Sequence, residues 1–307
     1  MDFYRYLCNL VKQIPPGRIS TYTHLARALG DTRAKKAVKE TLETSHDSTS
    51  IPWYRVIEDN GKIETEKKKH LLQQENIPIY KKTVSKYKDR VFPDFITTYP
   101  LKKLRKKQLH LQRNLVLKNS FTTLDSIGGA DVSYQGRNAY AAYVAMNYHT
   151  HSLVATKTIQ MKTDFPYIPT YLSYRELPII QNVMKNIVPP SLLFLDGHGI
   201  SHPYHFGLAS HLGVILDIPT IGIAKNLLCG TISPKNPAHD FSPLIYQEKT
   251  VGWALWHHGA QKPIFVSPGH KVSLITSLII ARKMCHYRIP EPLRTAHLLT
   301  QKKRKQK

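Results

Sequence analysis

The sequence predicts two domains: a mainly α-helical winged helix-turn-helix domain at the N-terminus, and an α/β domain with a mixed sheet flanked by helices at the C-terminus. The chain has 307 residues, enough for two domains of ordinary size. Short helical segments separated by Pro and Gly fill its first part, whereas β-branched apolar runs of strand length begin near residue 119. A basic segment, from KKTVSKYKDR to LKKLRKKQ, separates these two patterns.

Composition and charge restrict the class of protein. Hydrophobic residues make up 41% of the chain, which is enough for a core and excludes global disorder. Lys and Arg number 44 against 21 Asp and Glu, a net charge of +23, which favours a polyanionic partner, either nucleic acid or an anionic membrane surface. Apolar runs such as residues 274–281 are too short to span a bilayer, and the first residues lack a signal-peptide core. Three scattered cysteines indicate neither a disulfide framework nor a metal knuckle. We therefore expect a soluble cytoplasmic protein without a membrane partner.

Residues 1–80 carry the pattern of a helix-turn-helix. A hydroxyl residue at position 20 or 21 can cap a short helix that ends at Gly30. Asp31 can cap a second helix with a basic outer face, a pattern typical of DNA binding, although many helical hairpins share it. Downstream, Asn60 and Gly61 predict a tight hairpin or wing.

Two basic segments flank the second domain. Residues 81–103 are interpreted as a linker, either simply solvated or tracking phosphates. Residues 301–307, which include KKRKQK, are expected to be a disordered tail that serves as a nonspecific DNA arm or, alternatively, as a nuclear address.

The C-terminal domain begins with a predicted meander of three strands, IGGADVSY, AYAAYVAMN and LVATKTIQM. A helix is expected near 173–186, then a buried strand SLLFLD, a helix GLASHLGVIL, a strand PTIGIAK and a closing helix SLITSLIIARKMCHY. Strands that lead and then alternate with helices favour an α/β sheet with some parallel pairs.

Two acids of this domain occupy unusual positions. Asp131 lies within or at the end of an apolar strand, and Asp196 closes SLLFLD. A carboxylate there is costly unless it is paired, protonated or coordinated to a cation, and ligands bind at the carboxyl ends of strands in open α/β sheets. Two carboxylates can hold Mg²⁺ together with waters and phosphate oxygens. The alternative is that these acids cap turns or pair with lysine.

Histidines cluster after the second acid. His198, His202, His205 and His211 raise the possibility of zinc, but their spacing fits no standard finger. His270 lies on a turn before a helix, where a side chain could face a phosphate.

The N-terminal pattern resembles a known family. PPGRISTYTHLARALG, the basic helix and IPWYRVIEDNG together resemble the DNA-binding domain of O6-alkylguanine-DNA alkyltransferases. Where that family has Pro-Cys-His-Arg-Val, this chain has Trp53 in place of the nucleophilic cysteine, the hallmark of alkyltransferase-like proteins, which bind alkylated bases without repairing them. The resemblance implies an alkylguanine-sensing site and no alkyltransferase activity. Its implied residues, with Lys36 at the position of the family's base-flipping arginine, are Tyr22, Lys36, Trp53 and Arg55.

The C-terminal pattern resembles endonuclease V from about Leu104 to His297, which implies an endonuclease V domain over residues 104–300. The motifs that carry this resemblance are DFPYIPTYLSYRE, LFLDGHGISHPYHFGLASHLGVILDIPTIGIAK, SPGHKVS and YRIPEPLRTAH. It implies a ribonuclease H-like fold and a hydrolase that uses Mg²⁺, or Mn²⁺ in its place. Such an enzyme nicks DNA at the second phosphodiester bond 3′ to a deaminated base, chiefly inosine, leaving 3′-hydroxyl and 5′-phosphate ends.

The same resemblance implies site residues, position by position. Asp131 and Asp196 would hold the metal, and the implied catalytic set is Asp131, Glu176, Asp196, Lys225 and His270. The implied DNA wedge is Pro166, Tyr167, Ile168 and Pro169, and the implied pocket for the deaminated base is Thr170, Leu172, Gly197, His202, Leu208 and Leu228. The chain departs from the family at Thr170, commonly Gly, and at Tyr204 and His205, commonly arginines.

Together the two resemblances predict a DNA-repair endonuclease whose partner is DNA with deaminated, and through the sensor alkylated, bases. One alternative is an endoribonuclease specific for inosine in RNA. Another is a lesion-binding scaffold without cleavage.

Overall fold

The computed structural model describes residues 1–44, 51–236, 238–257 and 260–306. The chain forms two compact units, one of residues Met1–Lys106 with Asp164–Pro169, the other of residues Lys107–Thr163 with Thr170–Lys307. Among the helices that are described, none is long and apolar enough to cross a membrane.

The first unit is mainly helical, with short strands between its helices. Its elements are α1 (Phe3–Val11), β1 (Ser20–Thr21), α2 (Tyr22–Leu29), α3 (Lys35–Glu43), β2 (Val56–Ile57), α4 (Glu66–Gln74), β3 (Ile79–Tyr80), β4 (Thr83–Val84), α5 (Tyr87–Arg90) and the start of α6 (Pro100–Gln112).

Helices α2 and α3 form the helix-turn-helix that the sequence predicts. The Thr21 hydroxyl accepts a hydrogen bond from the backbone N–H of His24, which caps α2. Gly30 ends α2 at φ 103°, a left-handed conformation that glycine adopts without steric cost. The Asp31 carboxylate then accepts from the Arg33 N–H and starts the turn into α3. The prediction of a mainly α-helical N-terminal domain is confirmed.

The predicted wing differs from a simple hairpin. Gly61 takes φ 82°, so the Asn-Gly turn forms as expected. However, β2 pairs in parallel with β1, and Lys62 instead bridges to Thr83. The short β2 is already paired, so the turn does not join two strands of one hairpin.

Residues 81–103, interpreted above as a linker, are instead part of the first unit. They contain β4, α5 and the start of α6, and Val84 and Leu101 are buried. Val91 also bridges Ile19. Apolar residues spaced among the lysines pack inward, which the high charge of the segment obscures.

The second unit is a nine-stranded mixed sheet with helices, which confirms the predicted α/β class. The strand order is β10-β11-β12-β13-β9-β8-β5-β6-β7; β8 is parallel to both β5 and β9, and the other pairs are antiparallel. Its elements are β5 (Ser126–Gln135), β6 (Asn138–Asn147), β7 (Leu153–Lys162), α7 (Leu172–Met184), β8 (Leu192–Asp196), α8 (Leu208–Leu216), β9 (Thr220–Ala224), β10 (Thr231–Ile232), β11 (Phe241–Tyr246), β12 (Lys249–Leu255), β13 (Ile264–His270), α9 (Leu274–Met284) and α10 (Glu291–Lys305).

Successive residues of β8 face two different cores. Leu193 and Leu195 pack with residues of α7 and α8, whereas Leu192 and Phe194 pack with residues of α9. Helix α10 lies against β5 and β6. The central strands are therefore covered on both faces, as parallel strands usually are.

The C-terminal tail also differs from its prediction. Helix α10 continues to Lys305, so residues 301–305 are helical rather than disordered, and Lys307 lies outside the described residues. Thr300 is fully buried, which ties the last turns of α10 to the sheet. Basic residues in a last turn also interact favourably with the helix dipole.

Candidate active site

The sheet places Asp131 and Asp196 side by side. Ala130 of β5 pairs in parallel with Leu195 of β8, so the next residue of each strand, Asp131 and Asp196, shares the same register. Side chains at matching positions of parallel strands project from the same face, and the strands are about 4.8 Å apart. The two acids that were singled out in the sequence are therefore neighbours at the end of β8.

A glycine brings α10 close to this pair. Gly129 lies two residues before Asp131, and therefore on the same face of β5. A Cβ at Gly129 would lie 2.4 Å from the Pro292 backbone. That approach allows His297 and Thr300 of α10 to reach Asp131, whose Oδ2 lies 2.9 Å from His297 Nδ1 and accepts from the Thr300 hydroxyl at 3.1 Å. The hydrogen bond that His297 makes to the Asp131 carboxylate raises the pKa of His297. Asp131 is thus held in one orientation.

Lys225 contacts the other carboxylate. It directly follows β9, and its Nζ donates to Asp196 Oδ2 at 2.8 Å. Burial raises the pKa of Asp196, and the charge of Asp131 adds to this effect while Lys225 opposes it. The Lys225 side chain is 37% exposed, so its ammonium can also reach a ligand from solvent.

Glu176 of α7 completes the acidic group. Its side chain is 8% exposed, and burial raises its pKa well above the usual range, with the charges of Asp131 and Asp196 adding to the increase. Arg175 opposes this shift only in part. A buried carboxyl with like charges nearby is suited to hold a proton, or to ionise when a cation arrives.

The donor chemistry of this site fits Mg²⁺. Across the described ranges, no group of three or more His, Cys, Asp or Glu side chains is arranged to enclose a metal. Mg²⁺ does not require such a cage, because it commonly binds one or two carboxylates and completes its shell with water and phosphate oxygens. The repulsion between Asp131 and Asp196 is what a divalent cation would relieve. The structure therefore fits a two-carboxylate magnesium site better than a zinc site.

His270 does not join this group. It pairs with Thr220 at the start of β9, whereas Lys225 follows the end of that strand. Its ring is 2% exposed; Nδ1 accepts from the Val116 N–H at 3.2 Å, and Nε2 lies 3.5 Å from Asp217 Oδ1. The structure thus places His270 at the opposite end of the strands from Asp196 and Lys225, where it links β13 to the chain near Val116.

His297 and Thr300 were missed by the sequence reasoning. Both fall in or just after YRIPEPLRTAH, a motif that already carried the family resemblance. Their spacing of three residues puts them on one face of a helix, which was the available signal. In the sequence this motif contributes only to the family resemblance, and the tail that follows it is predicted to be disordered.

The predicted wedge and base pocket occupy several elements. In the wedge, Tyr167 is exposed and Ile168 is buried. Thr170 takes φ 70°, a left-handed conformation that a β-branched residue adopts at a cost and that explains why glycine suits this position. The remaining pocket residues lie at the start of α7 (Leu172), after β8 (Gly197 and His202), at the start of α8 (Leu208) and after β9 (Leu228). A Cβ at Gly197 would meet Leu208 at 3.1 Å, so these two adjoin.

The four predicted alkylguanine-sensing residues have different environments. Trp53 is 4% exposed, and Tyr22 is also buried. Arg55 donates through Nε to Glu75 at 3.0 Å and through Nη1 to the Ile14 carbonyl, which is a structural role. Lys36 is 83% exposed on the outer face of α3. The structure therefore does not gather the four into one group.

A buried polar network joins two of these residues. Lys68 of α4 lies near both rings, its Nζ 5.3 Å from the centroid of Tyr22 and 5.9 Å from that of Trp53. Its ammonium donates to the Tyr22 hydroxyl and to Glu64, and the Tyr22 hydroxyl donates to Glu64 at 2.6 Å. Burial lowers the pKa of Lys68 and raises that of Tyr22. This network was also missed, because its members are far apart in sequence.

The second unit is a DNA-repair nuclease domain. Residues 109–298 match the family profile described as Endonuclease V, and the chain belongs to the endonuclease V family. Residues 2–77 match the profile of the 6-O-methylguanine DNA methyltransferase DNA-binding domain. Both resemblances read from the motifs are therefore confirmed.

Several known proteins are similar to this chain. A "bifunctional methyltransferase/endonuclease" of Picrophilus torridus is 34% identical over 97% of this chain and 95% of its own length. One of the same description from Thermoplasma volcanium is 33% identical over 97% of this chain and 89% of its own. The structure of Ciona intestinalis endonuclease V, in complex with a DNA 24mer that contains an inosine followed by a ribo-adenosine, is 28% identical; the match covers 67% of this chain and 98% of that one, with a TM-score of 0.61.

Proposed function

We propose that this chain nicks DNA at the second phosphodiester bond 3′ to a deaminated base, with inosine as the chief lesion and Mg²⁺, or Mn²⁺ in its place, as cofactor. The observation that carries the proposal is the shared register of Asp131 and Asp196, with Lys225 donating a hydrogen bond to Asp196. Glu176 is near enough for the charges of both acids to raise its pKa. Membership of the endonuclease V family and the inosine DNA bound by the Ciona relative support the choice of substrate.

Each residue of the site has a chemical role in this proposal. Asp131 and Asp196 would hold the divalent cation, which when bound would supply positive charge next to the scissile phosphate. Glu176, whose pKa is raised, accepts the proton of the attacking water. The water oxygen bonds to phosphorus while the bond between phosphorus and the 3′ oxygen breaks. The departing 3′ oxygen takes a proton from solvent, giving a 3′-hydroxyl and a 5′-phosphate. Lys225 can turn from Asp196 to the phosphate oxygens and stabilise the charge that develops there. His297 keeps Asp131 oriented.

The substrate roles follow the family resemblance. Pro166 to Pro169 would fill the gap left by the extracted base, with the exposed Tyr167 as the inserted side chain. The pocket for that base would be shaped by Thr170, Leu172, Gly197, His202, Leu208 and Leu228. His270 has no proposed catalytic role, because its partners are Val116 and Asp217.

We further propose that the first unit recognises alkylated guanine without removing the alkyl group. The profile match over residues 2–77 and the exposed Lys36 on the basic face of α3 support DNA binding. Alkyl transfer requires a thiolate, and Trp53 occupies the position of the nucleophile in the family. Cys8 is no ready substitute, since burial raises the pKa of its thiol.

The test is a nicking assay on end-labelled duplexes that carry inosine, O6-methylguanine or no lesion, with Mg²⁺ or EDTA. Wild type is compared with Asp131→Asn and with Asp125→Asn, a matched control because Asp125 is an exposed acid near the other end of β5. We expect a Mg²⁺-dependent nick at the second phosphodiester bond 3′ to inosine. This nick should be lost in Asp131→Asn and retained in Asp125→Asn.

Other outcomes would assign another function. Cleavage of a matched inosine RNA but not of DNA would identify an endoribonuclease. Binding without a nick on either would identify a lesion-binding scaffold.

A further inference from the structure

The segment Asp164–Pro169, which contains the wedge, belongs to the first unit, although its sequence lies between β7 and α7 of the nuclease domain. Within it, Phe165 is 5% exposed and Ile168 fully buried, whereas Tyr167 between them is 52% exposed. The prolines at 166 and 169 restrict the backbone on both sides. Two buried anchors therefore present one exposed aromatic ring.

Helix α1 supplies a partner for one of these anchors. The backbone N–H of Phe3 donates to the Asp164 carbonyl at 3.0 Å. The Phe3 ring packs edge-on against Phe165, with centroids 6.1 Å apart and planes at 68°. Phe3 is fully buried. The start of α1 is itself fixed, because Asp2 caps it by accepting from the Arg5 N–H.

We propose that Phe3 is a positioning residue for the wedge, so that helix α1 holds the segment from which Tyr167 projects. The proposal rests on the wedge role assigned to residues 166–169 under the proposed function. Phe3 need not touch DNA; it holds Phe165, and Phe165 holds the backbone from which Tyr167 projects. A wedge that samples several positions inserts productively only in the fraction of molecules where it is correctly placed.

This role has a consequence that a purely structural role lacks. A base in a duplex must leave the stack, whereas an inosine in a single strand needs little or no extraction. Loss of wedge positioning should therefore slow nicking of duplex inosine and spare nicking of single-stranded inosine. A general loss of folded protein would reduce both rates equally.

The experiment measures single-turnover nicking by the full chain on matched duplex and single-stranded inosine oligonucleotides. Phe3→Ala removes the edge contact, and Phe3→Leu keeps apolar volume without the ring, should the alanine variant fold poorly. Leu10→Ala is the control, since Leu10 is 3% exposed in the same helix. We expect the duplex-to-single-strand rate ratio to fall about tenfold in Phe3→Ala, about threefold in Phe3→Leu, and not in Leu10→Ala.

Tyr167→Ala separates this inference from the proposed function. If Tyr167→Ala lowers the ratio but both Phe3 variants leave it unchanged, Phe3 does not position the wedge and the inference is overturned, while the wedge role stands. An equal fall of both rates in Phe3→Ala and Leu10→Ala would overturn it as well. If Tyr167→Ala leaves the ratio unchanged, the wedge role fails and the inference fails with it.

Discussion

Glu176→Gln should increase the stability of the second unit in the absence of metal and abolish nicking. The side chain is 8% exposed, and burial together with the charges of Asp131 and Asp196 raises its pKa. Glutamine has nearly the same shape but carries no charge. The substitution therefore removes the repulsion while the packing of α7 is kept.

The sign and size of the effect follow from proton linkage. Because the pKa is raised in the folded state, the native protein binds more protons than the unfolded chain between the unfolded pKa, about 4.3, and the folded one. Wild-type stability falls with pH across this interval, by up to about 1.4 kcal/mol per pH unit, and levels off above the folded pKa. The advantage of Glu176→Gln is therefore small near pH 4 and grows as pH rises.

Urea unfolding in EDTA at several pH values measures this difference. Trp53→Phe in both proteins restricts the tryptophan signal to Trp253 and Trp256, which lie in the second unit. We expect the stability advantage of Glu176→Gln to increase by at least about 1 kcal/mol between about pH 5 and about pH 7. A difference that is flat over this range would refute the argument that Glu176 is buried beside like charges.

Four further results are expected. His297→Ala should weaken the apparent Mg²⁺ affinity about tenfold in a nicking titration, since it orients Asp131; an unchanged Mg²⁺ dependence would contradict this role. His270→Ala should cost about 1–3 kcal/mol in urea unfolding through its buried contacts but leave that Mg²⁺ dependence unaltered, and a shifted dependence would return His270 to the site. Thr170→Gly should stabilise the chain by about 1 kcal/mol by removing left-handed strain, and a lower thermal midpoint would argue against strain. Wild-type protein incubated with DNA that contains O6-methylguanine labelled in its methyl group should acquire no label, because Trp53 is not a nucleophile. Covalent label on the protein would show that another residue accepts the methyl group.

The motifs predicted much of the nuclease site because they are local. Asp196 ends an apolar strand, and a strand-end acid can be recognised from its neighbours in sequence. Lys225 directly follows its own strand, β9. The helix-turn-helix was equally accessible, since caps at Thr21 and Asp31 and the turn at Gly30 are short-range features.

Residues that act through distant contacts could not be found in this way. His297 reaches Asp131 across 166 positions of sequence, and only because Gly129 lets α10 approach the sheet. His270 shows the reverse case: its motif suggested a phosphate contact, but the pairing of β13 with β9 places it at the end of the strands away from Lys225. The wedge stays a prediction, and the sequence did not show that its residues belong to the first unit.

By itself the sequence determined the two families, the α/β class of the nuclease and the two strand acids that we propose to bind metal, because each depends on composition, periodicity or a continuous motif. Tertiary structure decided which side chains support those acids, that segment 81–103 packs into the first unit and that Phe3 meets Phe165. The physical reason is that strand register and helix approach are set by packing across the whole chain. No short stretch of sequence carries that information.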